Sequence, residues 1–310
     1  MLQLDAREVA ARLDRVRLID ALEQAFRAEF HSPGRQVHTI DSSAQGDDLL
    51  LVMPAWQSRR CIGVKLVTVF PGNTHRGSPA VHAAYTLFSA VDGTPIATLD
   101  GTELTRRRTA AASALAARYL ARADATRLLM VGTGALAPHL IDSYTAARPI
   151  TQVRVWGRSA QHAQAVVSGF AARTFSIEAS HDLEAGVRWA DIISCATLAT
   201  TPLVHGAWLR AGQHLDLIGA FTPEMREVDD DALVRARIYV DTREGALTES
   251  GELIQAIDAG IITAGDVRGD LADLTRGRVS GRGSAEEITL FKSVGSAIED
   301  LAAAELAISL

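Results

Sequence analysis

The sequence predicts an α/β protein built around a doubly wound parallel sheet of Rossmann type, with an α+β portion ahead of it. Three observations carry this expectation. From about residue 127 onward, apolar strand-like runs alternate with helical stretches, as the crossovers of a parallel sheet require. Between residues 49 and 100, strand-like runs follow one another without helices, which suits an antiparallel sheet. Residues 132–137, Gly-Thr-Gly-Ala-Leu-Ala, form a glycine-rich turn between an apolar run and a helical stretch.

Each element has a local reason. Residues 5–30 read as one helix, because Val16, Ile19, Leu22, Phe26 and Phe30 recur at spacings of three or four. Residues 31–48 are rich in turn formers and read as loop. The first strand-like runs are 49–56, 62–70, 83–91 and 95–100, separated by Gly72-Asn73, Gly77-Ser78-Pro79 and Asp92-Gly93. Residues 103–122 are alanine-rich and read as helix. The strands of the second portion begin near 127, 152, 174, 191, 214 and 237. Residues 285–308 read as a closing helix with Ile288, Phe291, Val294, Ile298 and Leu301 on one side.

A chain of 310 residues fits two domains or one large one. Hydrophobic residues make up 47%, enough for a sizeable core, which excludes a mostly disordered chain. Lys and Arg number 31 against 37 Asp and Glu, a net charge of −6, and the densest basic run is Arg106-Arg107-Arg108. Neither nucleic acid nor an anionic membrane surface is an expected partner. There is no apolar run long enough to span a bilayer, and the charged first residues lack a secretion-signal core. A cytoplasmic setting is expected. Cys61 and Cys195 match no zinc spacing, and the nine histidines form no HxxxH or HExxH pair, so no metal is expected.

The glycine-rich turn suggests a dinucleotide. Gly132 would make the tight turn, and Gly134 would let the backbone approach a pyrophosphate. The helix-start N–H groups around Ala135 and Leu136 would receive its charge. The plainer alternative is a glycine turn without a ligand. An acidic residue about 20 positions on would bind a ribose 2′-hydroxyl. This chain has Gly157-Arg158-Ser159 there instead. Arg158 can pair with a 2′-phosphate and Ser159 can donate to it, which favours NADP(H), with NAD(H) still open. Alternatively, Arg158 is a solvated loop charge and Ser159 only a helix N-cap.

Five stretches, 63–73, 100–120, 131–140, 195–204 and 291–306, taken in this order and spacing, resemble the ornithine cyclodeaminase/mu-crystallin family from about residue 35 onward. The resemblance implies a homodimer acting on amino acids or their related imines. It implies that the Rossmann domain, 113–289, is inserted into an α+β substrate-binding and dimerisation domain formed by 1–112 and 290–310. Carried over by position, Lys65 and Arg108 resemble catalytic, substrate-site residues, with Arg108 as the carboxylate holder. Arg35 resembles an upstream substrate-site arginine. His82 resembles a cleft-lining histidine, or is a satisfied structural one. Thr109, Thr197 and Leu198 fall where the family touches its cofactor, and Ser293 falls near the nicotinamide.

One stretch departs from the family. Cyclodeaminases and related alanine dehydrogenases look like GADxPGK where this chain reads Gly219-Ala220-Phe221-Thr222-Pro223-Glu224-Met225. Phe221 stands in place of the aspartate. A phenyl ring cannot accept a proton, orient water or hold an amine, so ornithine cyclodeamination is not expected. Imine reduction asks less, because the C=N bond is already present. Mu-crystallin-like ketimine reductases also lack the aspartate, and Phe221 could pack on ring carbons. The expectation is NADPH-dependent reduction of Δ1-pyrroline-2-carboxylate to proline, or of Δ1-piperideine-2-carboxylate to pipecolate. The alternatives are ornithine cyclodeaminase, a mu-crystallin-like NADP(H)-dependent binder with little catalysis, and an enzyme of amino-acid dehydrogenation or N-alkyl amino-acid (opine-like) chemistry.

Overall fold

The computed structural model describes residues 1–43, 46–170 and 173–309. It divides into two compact units, Met1–Thr109 with Ser296–Leu310, and Ala110–Gly295. The sequence reading places these divisions at 112/113 and 289/290.

The first unit opens with β1 (Leu2–Leu4), α1 (Ala6–Arg12) and α2 (Arg15–Arg27). The single helix expected over 5–30 is therefore two. Leu13 closes the first, and the Asp14 side chain accepts the Arg17 N–H to start the second. Capping outweighs the apolar repeat at this point. Val16 drops out of the stripe and is 46% exposed, while Ile19, Leu22 and Phe26 are fully buried.

Five strands follow: β2 (Gln36–Ser43), β3 (Gly46–Gln57), β4 (Cys61–Val69), β5 (Val81–Ser89) and β6 (Pro95–Asp100). The sheet order is β1-β6-β5-β4-β3-β2, antiparallel except that β1 runs parallel to β6. The segment read as loop thus contains β2 and the start of β3. An edge strand needs few apolar residues, since pairing rather than burial holds it, and its polar sequence hides it. The inner face is built from cross-strand rows. Met53, Lys65, Tyr85 and Leu99 form one, and Ala55, Gly63, Leu87 and Ala97 the next. A Cβ at Gly63 would overlap the Tyr85 hydroxyl. The C-terminal helix, Ala297–Ile308, packs on α2, β3 and β4.

The division between units falls within α3 (Gly101–Leu120). The second unit then alternates: β7 (Arg127–Val131), α4 (Ala137–Ala147), β8 (Gln152–Trp156), α5 (Ala160–Ser168), β9 (Ser176–Ser180), α6 (Leu183–Trp189), β10 (Ile192–Cys195) and β11 (His214–Leu217). It continues with α7 (Asp230–Arg235), β12 (Ala236–Val240), α8 (Arg243–Glu249), α9 (Gly251–Asp258), β13 (Val267–Asp270), α10 (Leu271–Thr275) and β14 (Ile288–Lys292).

All eight strands are parallel, in the order β13-β12-β14-β11-β10-β7-β8-β9. Successive residues of β7 feed two cores. Leu129 and Val131 join one cluster, Leu128 and Met130 the other. Both faces are therefore covered, as a parallel sheet demands. Residues 288–292 are a strand, not the start of the closing helix. Every one of them is buried, and a short apolar run in a central strand cannot be told from buried helix by periodicity. From β7 the chain winds outward through β8 and β9, then returns to β10 on the other side. That reversal between β7 and β10 is the switch point where doubly wound sheets bind ligands, outside the carboxyl ends of the strands. Among the described residues, no helix is long and apolar enough to cross a membrane.

Candidate functional site

The first unit gathers a buried ionic group on the inner face of its sheet. Lys65 comes from β4, Arg108 from α3, and Glu299 and Asp300 from the C-terminal helix. Lys65 Nζ lies 2.7 Å from Asp300 Oδ2. Arg108 donates from Nε to Asp300 Oδ1 at 2.9 Å and from Nη1 to Glu299 Oε2 at 2.6 Å. Two guanidinium positions are thus taken, and neither bond uses Nη2, whose N–H groups could donate to a ligand. Arg108 is 4% exposed and Lys65 2%.

Burial in a low-dielectric setting penalises both cations. For Lys65 this desolvation outweighs the attraction of Asp300. Arg108 and Arg35 add repulsion, and its pKa falls to about 8. Burial works against Arg108 as well, but Asp300 and Glu299 overcome it and hold the guanidinium protonated. The neighbouring arginines of the triplet turn to Glu103, at 2.7 Å from Arg107 and 3.9 Å from Arg106. One helix turn thus directs a single arginine inward.

Arg35 lies just before β2 and within electrostatic reach of Lys65. His82 does not join this group. In the unbroken β4–β5 register it pairs with Thr68, three residues from Lys65, so alternation puts it on the opposite face, where it is exposed. The sequence reading missed Glu299 and Asp300. The signal was available: the run Ala297–Ala304 is apolar apart from these two acids, and a helix with no polar face is buried all round. Its charges must then be paired.

The second unit assembles a different site along the carboxyl edge of its sheet. Val131, Cys195, Leu217, Lys292 and Val240 share one register row, so the segments that follow them emerge side by side. Gly132 has φ +122°, and a Cβ there would strike the Ala196 carbonyl, so this turn requires glycine. A Cβ at Gly134 would meet nothing within 4 Å, which leaves its backbone open to a ligand. Ala135 is exposed next to it. Leu136 is the N-cap of α4 but makes no side-chain cap, and its side chain packs on the core. An apolar residue in that turn is therefore a packing choice, and the helix-start N–H groups stay uncapped by it.

These segments surround a cleft of about 400 Å³ lined by Gly132, Gly134, Trp156, Arg158, Thr197 and Leu198, among others. Leu198 is strongly exposed. Arg158 is exposed with no carboxylate partner among the described residues, and no acid follows β8. Ser159 caps α5, its Oγ accepting the His162 N–H at 3.3 Å. That bond leaves the hydroxyl proton free to donate, so capping and phosphate contact are compatible. Ser293 donates to Asp241 Oδ2 at 2.9 Å. The same oxygen accepts the N–H groups of Val294 and Gly295, fixing this turn from below. Thr109 is buried in α3 next to Arg108. Phe221 lies in the segment after β11 and is 44% exposed. Among the described residues, no group of His, Cys, Asp or Glu could hold a metal ion.

A doubly wound parallel sheet with a glycine turn at its switch point defines a dinucleotide-binding class of fold. The chain belongs to the ornithine cyclodeaminase/mu-crystallin family, whose profile matches residues 1–308. It is 44% identical to a Δ1-pyrroline-2-carboxylate reductase of Paracoccus denitrificans, over 86% of this chain and 87% of that one. It is 32% identical to the ketimine reductase mu-crystallin of Rattus norvegicus, over 93% and 90%. The solved structure of Thermococcus litoralis Δ1-pyrroline-2-carboxylate reductase, in complex with NADH and L-proline, superposes with a TM-score of 0.93 at 31% identity. That match covers 99% of this chain and 96% of the other.

The ionic group makes a direct prediction. Replacing Asp300 by Asn leaves two buried cations short of a counter-charge, which should cost about 3–5 kcal/mol of stability. Chemical denaturation of the native and D300N proteins measures this. A loss under about 1 kcal/mol would place the pairs in the class of weak, solvated bridges.

Proposed function

We propose that the protein is an NADPH-dependent reductase of cyclic ketimine carboxylates. Δ1-pyrroline-2-carboxylate, giving proline, is the leading substrate, and Δ1-piperideine-2-carboxylate, giving pipecolate, the larger-ring one. The observation that carries this reading is the buried pairing of a proton-donating lysine with an arginine that keeps one arm free. The relatives' names and the apolar Phe221 agree with it. In this reading the first unit binds substrate and the second binds the cofactor.

Arg108 Nη2, with the charge of Arg35 nearby, receives the substrate carboxylate. Lys65 keeps the imine nitrogen protonated and is left neutral once the amine forms. A bound carboxylate adds negative charge beside Lys65 and so favours its charged form at the moment it is needed. The nicotinamide, when bound, supplies the hydride to the imine carbon. Phe221 offers no acceptor for water or ammonia, which removes a group that ornithine deamination needs. His82 is left out of this scheme because of the face it occupies.

Arg158 and the Ser159 hydroxyl support NADP(H) over NAD(H), because a 2′-phosphate would find a cation and no carboxylate there. The outward face of the first sheet supports a homodimer. Ile62, Val64 and Leu66 project to that side from β4, and Leu66 is 43% exposed. The buried, unbonded Cys61 and Cys195 agree with a reducing, cytoplasmic setting.

Three measurements test these statements. With either imine, NADPH should be consumed rapidly and NADH less so, ornithine should be silent, and R158A should reduce or invert the cofactor preference. Ornithine turnover with ammonia release and no imine reduction would refute the reading. The kcat/KM for the imine should fall as pH rises through about 8, where Lys65 loses its proton. That limb should move to higher pH in kcat, and K65M should lose about 10²–10⁴-fold in rate. Light scattering should give twice the chain mass for the native protein and one chain mass for L66E. A native monomer would exclude the dimer.

A further inference from the structure

Glu227 is fully buried, and both of its carboxylate oxygens are committed. Oε1 accepts the Thr197 N–H at 2.7 Å and the Thr197 hydroxyl at 2.8 Å. Oε2 accepts the Gly219 N–H at 2.8 Å. Its own backbone continues the lacing. The N–H donates to Glu252 Oε1 at 2.9 Å, and the carbonyl accepts the N–H groups of Leu203 and Val204. Lys292, which ends β14, lies 3.2 Å from Glu252 Oε2 and supplies positive charge to the pair. Gly219 sits so tightly against the Thr197 backbone that any Cβ there would overlap it.

The two ends of this arrangement are functionally distinct. Thr197 belongs to the stretch that lines one wall of the cleft. Gly219 begins the segment that carries Phe221. The Thr197 hydroxyl donates its proton to Glu227, so it has none left to give a cofactor. What Thr197 contributes to the cleft is the position of its backbone, and Glu227 sets that position. The chemistry calls for a carboxylate. Three donors converge on the two oxygens, and an amide at this place would turn its NH₂ against one of them.

We propose that Glu227 is a positioning residue for the cofactor: it clamps the 197–201 wall of the cleft to the base of the Phe221 segment, so cofactor affinity depends on it. The proposal rests on reading the cleft as a dinucleotide site. It does not require Glu227 to touch the cofactor.

The test compares three variants by NADPH fluorescence titration and thermal unfolding, neither of which needs turnover. E227Q should weaken NADPH binding by about ten-fold or more, because it loses one bond and sets two donors face to face. T197V removes only the hydroxyl arm and should show a smaller loss in the same direction. D191N is the structural control. Asp191 is also buried, but it holds the Thr126 and Arg127 N–H groups at the amino end of the same sheet. It should lower the melting temperature and leave NADPH affinity unchanged. If E227Q and T197V bind NADPH within about two-fold of native, or if D191N loses as much affinity as E227Q, the proposal is overturned. Should E227Q fail to fold, T197V decides between the same two outcomes. A native protein that binds neither NADPH nor NADH overturns the cofactor reading and this inference together, whereas unchanged variants of a protein that binds overturn the inference alone.

Discussion

Two cations cannot share a dry interior without counter-charge. Lys65 and Arg108 meet on the inner face of the first sheet, and the carboxylates that pair with them come from the C-terminal helix. Asp300 serves both, one oxygen to each, and Glu299 takes Nη1 of Arg108, so that Nη2 stays outside the ionic group. The discontinuous composition of the first unit follows from this requirement. A helix from the far end of the chain must return to it, because that helix carries the charge that makes the site affordable in free energy. The same compensation tunes Lys65. Desolvation lowers its pKa and Asp300 limits the fall, so a residue that would be a permanent cation in water can exchange its proton near neutrality.

The second unit solves a related problem with the opposite charges. Segments leaving the carboxyl ends of parallel strands carry backbone N–H groups that no strand can satisfy. Buried carboxylates take them up. Glu227 gathers Thr197 and Gly219, and Asp241 gathers Val294, Gly295 and the Ser293 hydroxyl. These segments need no regular secondary structure to hold their shape. Preorganised walls of this kind bind without a further ordering cost.

Much of the architecture is legible in the sequence, and the exceptions have physical causes. The glycine turn is readable because Gly132 occupies a conformation and a close contact that exclude side chains. The strands from β7 to β12 are readable because each is an apolar run set off from the next by a helix or a turn-rich segment. β14 is not, because a central strand buried on both faces shows neither alternation nor a polar side. β2 fails for the opposite reason, as an edge strand with too little apolar content to stand out. Lys65 and Arg108 are reached through family resemblance rather than local pattern. Glu227 and Asp241 are invisible to periodicity, because their partners are backbone amides and hydroxyls distant in sequence, whereas the all-apolar surroundings of Asp300 in its helix do mark it as buried. The resemblance offers His82 as a cleft-lining histidine or a structural one, and strand alternation from Lys65 puts it on the face opposite that lysine.

The position of β14 bears on how the chain folds as it is made. This strand lies between β11 and β12, both of which precede it, and so fills a slot that stays open until residue 292 has emerged. The helix Ala297–Ile308 then completes the first unit a few residues later. Domains ordinarily fold one after another from the amino terminus during synthesis. Here neither unit can close before the ribosome has read through the same late stretch, so both remain open together. A nascent chain stalled at Glu287 would expose the flanks of β11 and β12 as unpaired edges, which are templates for mispairing with other chains.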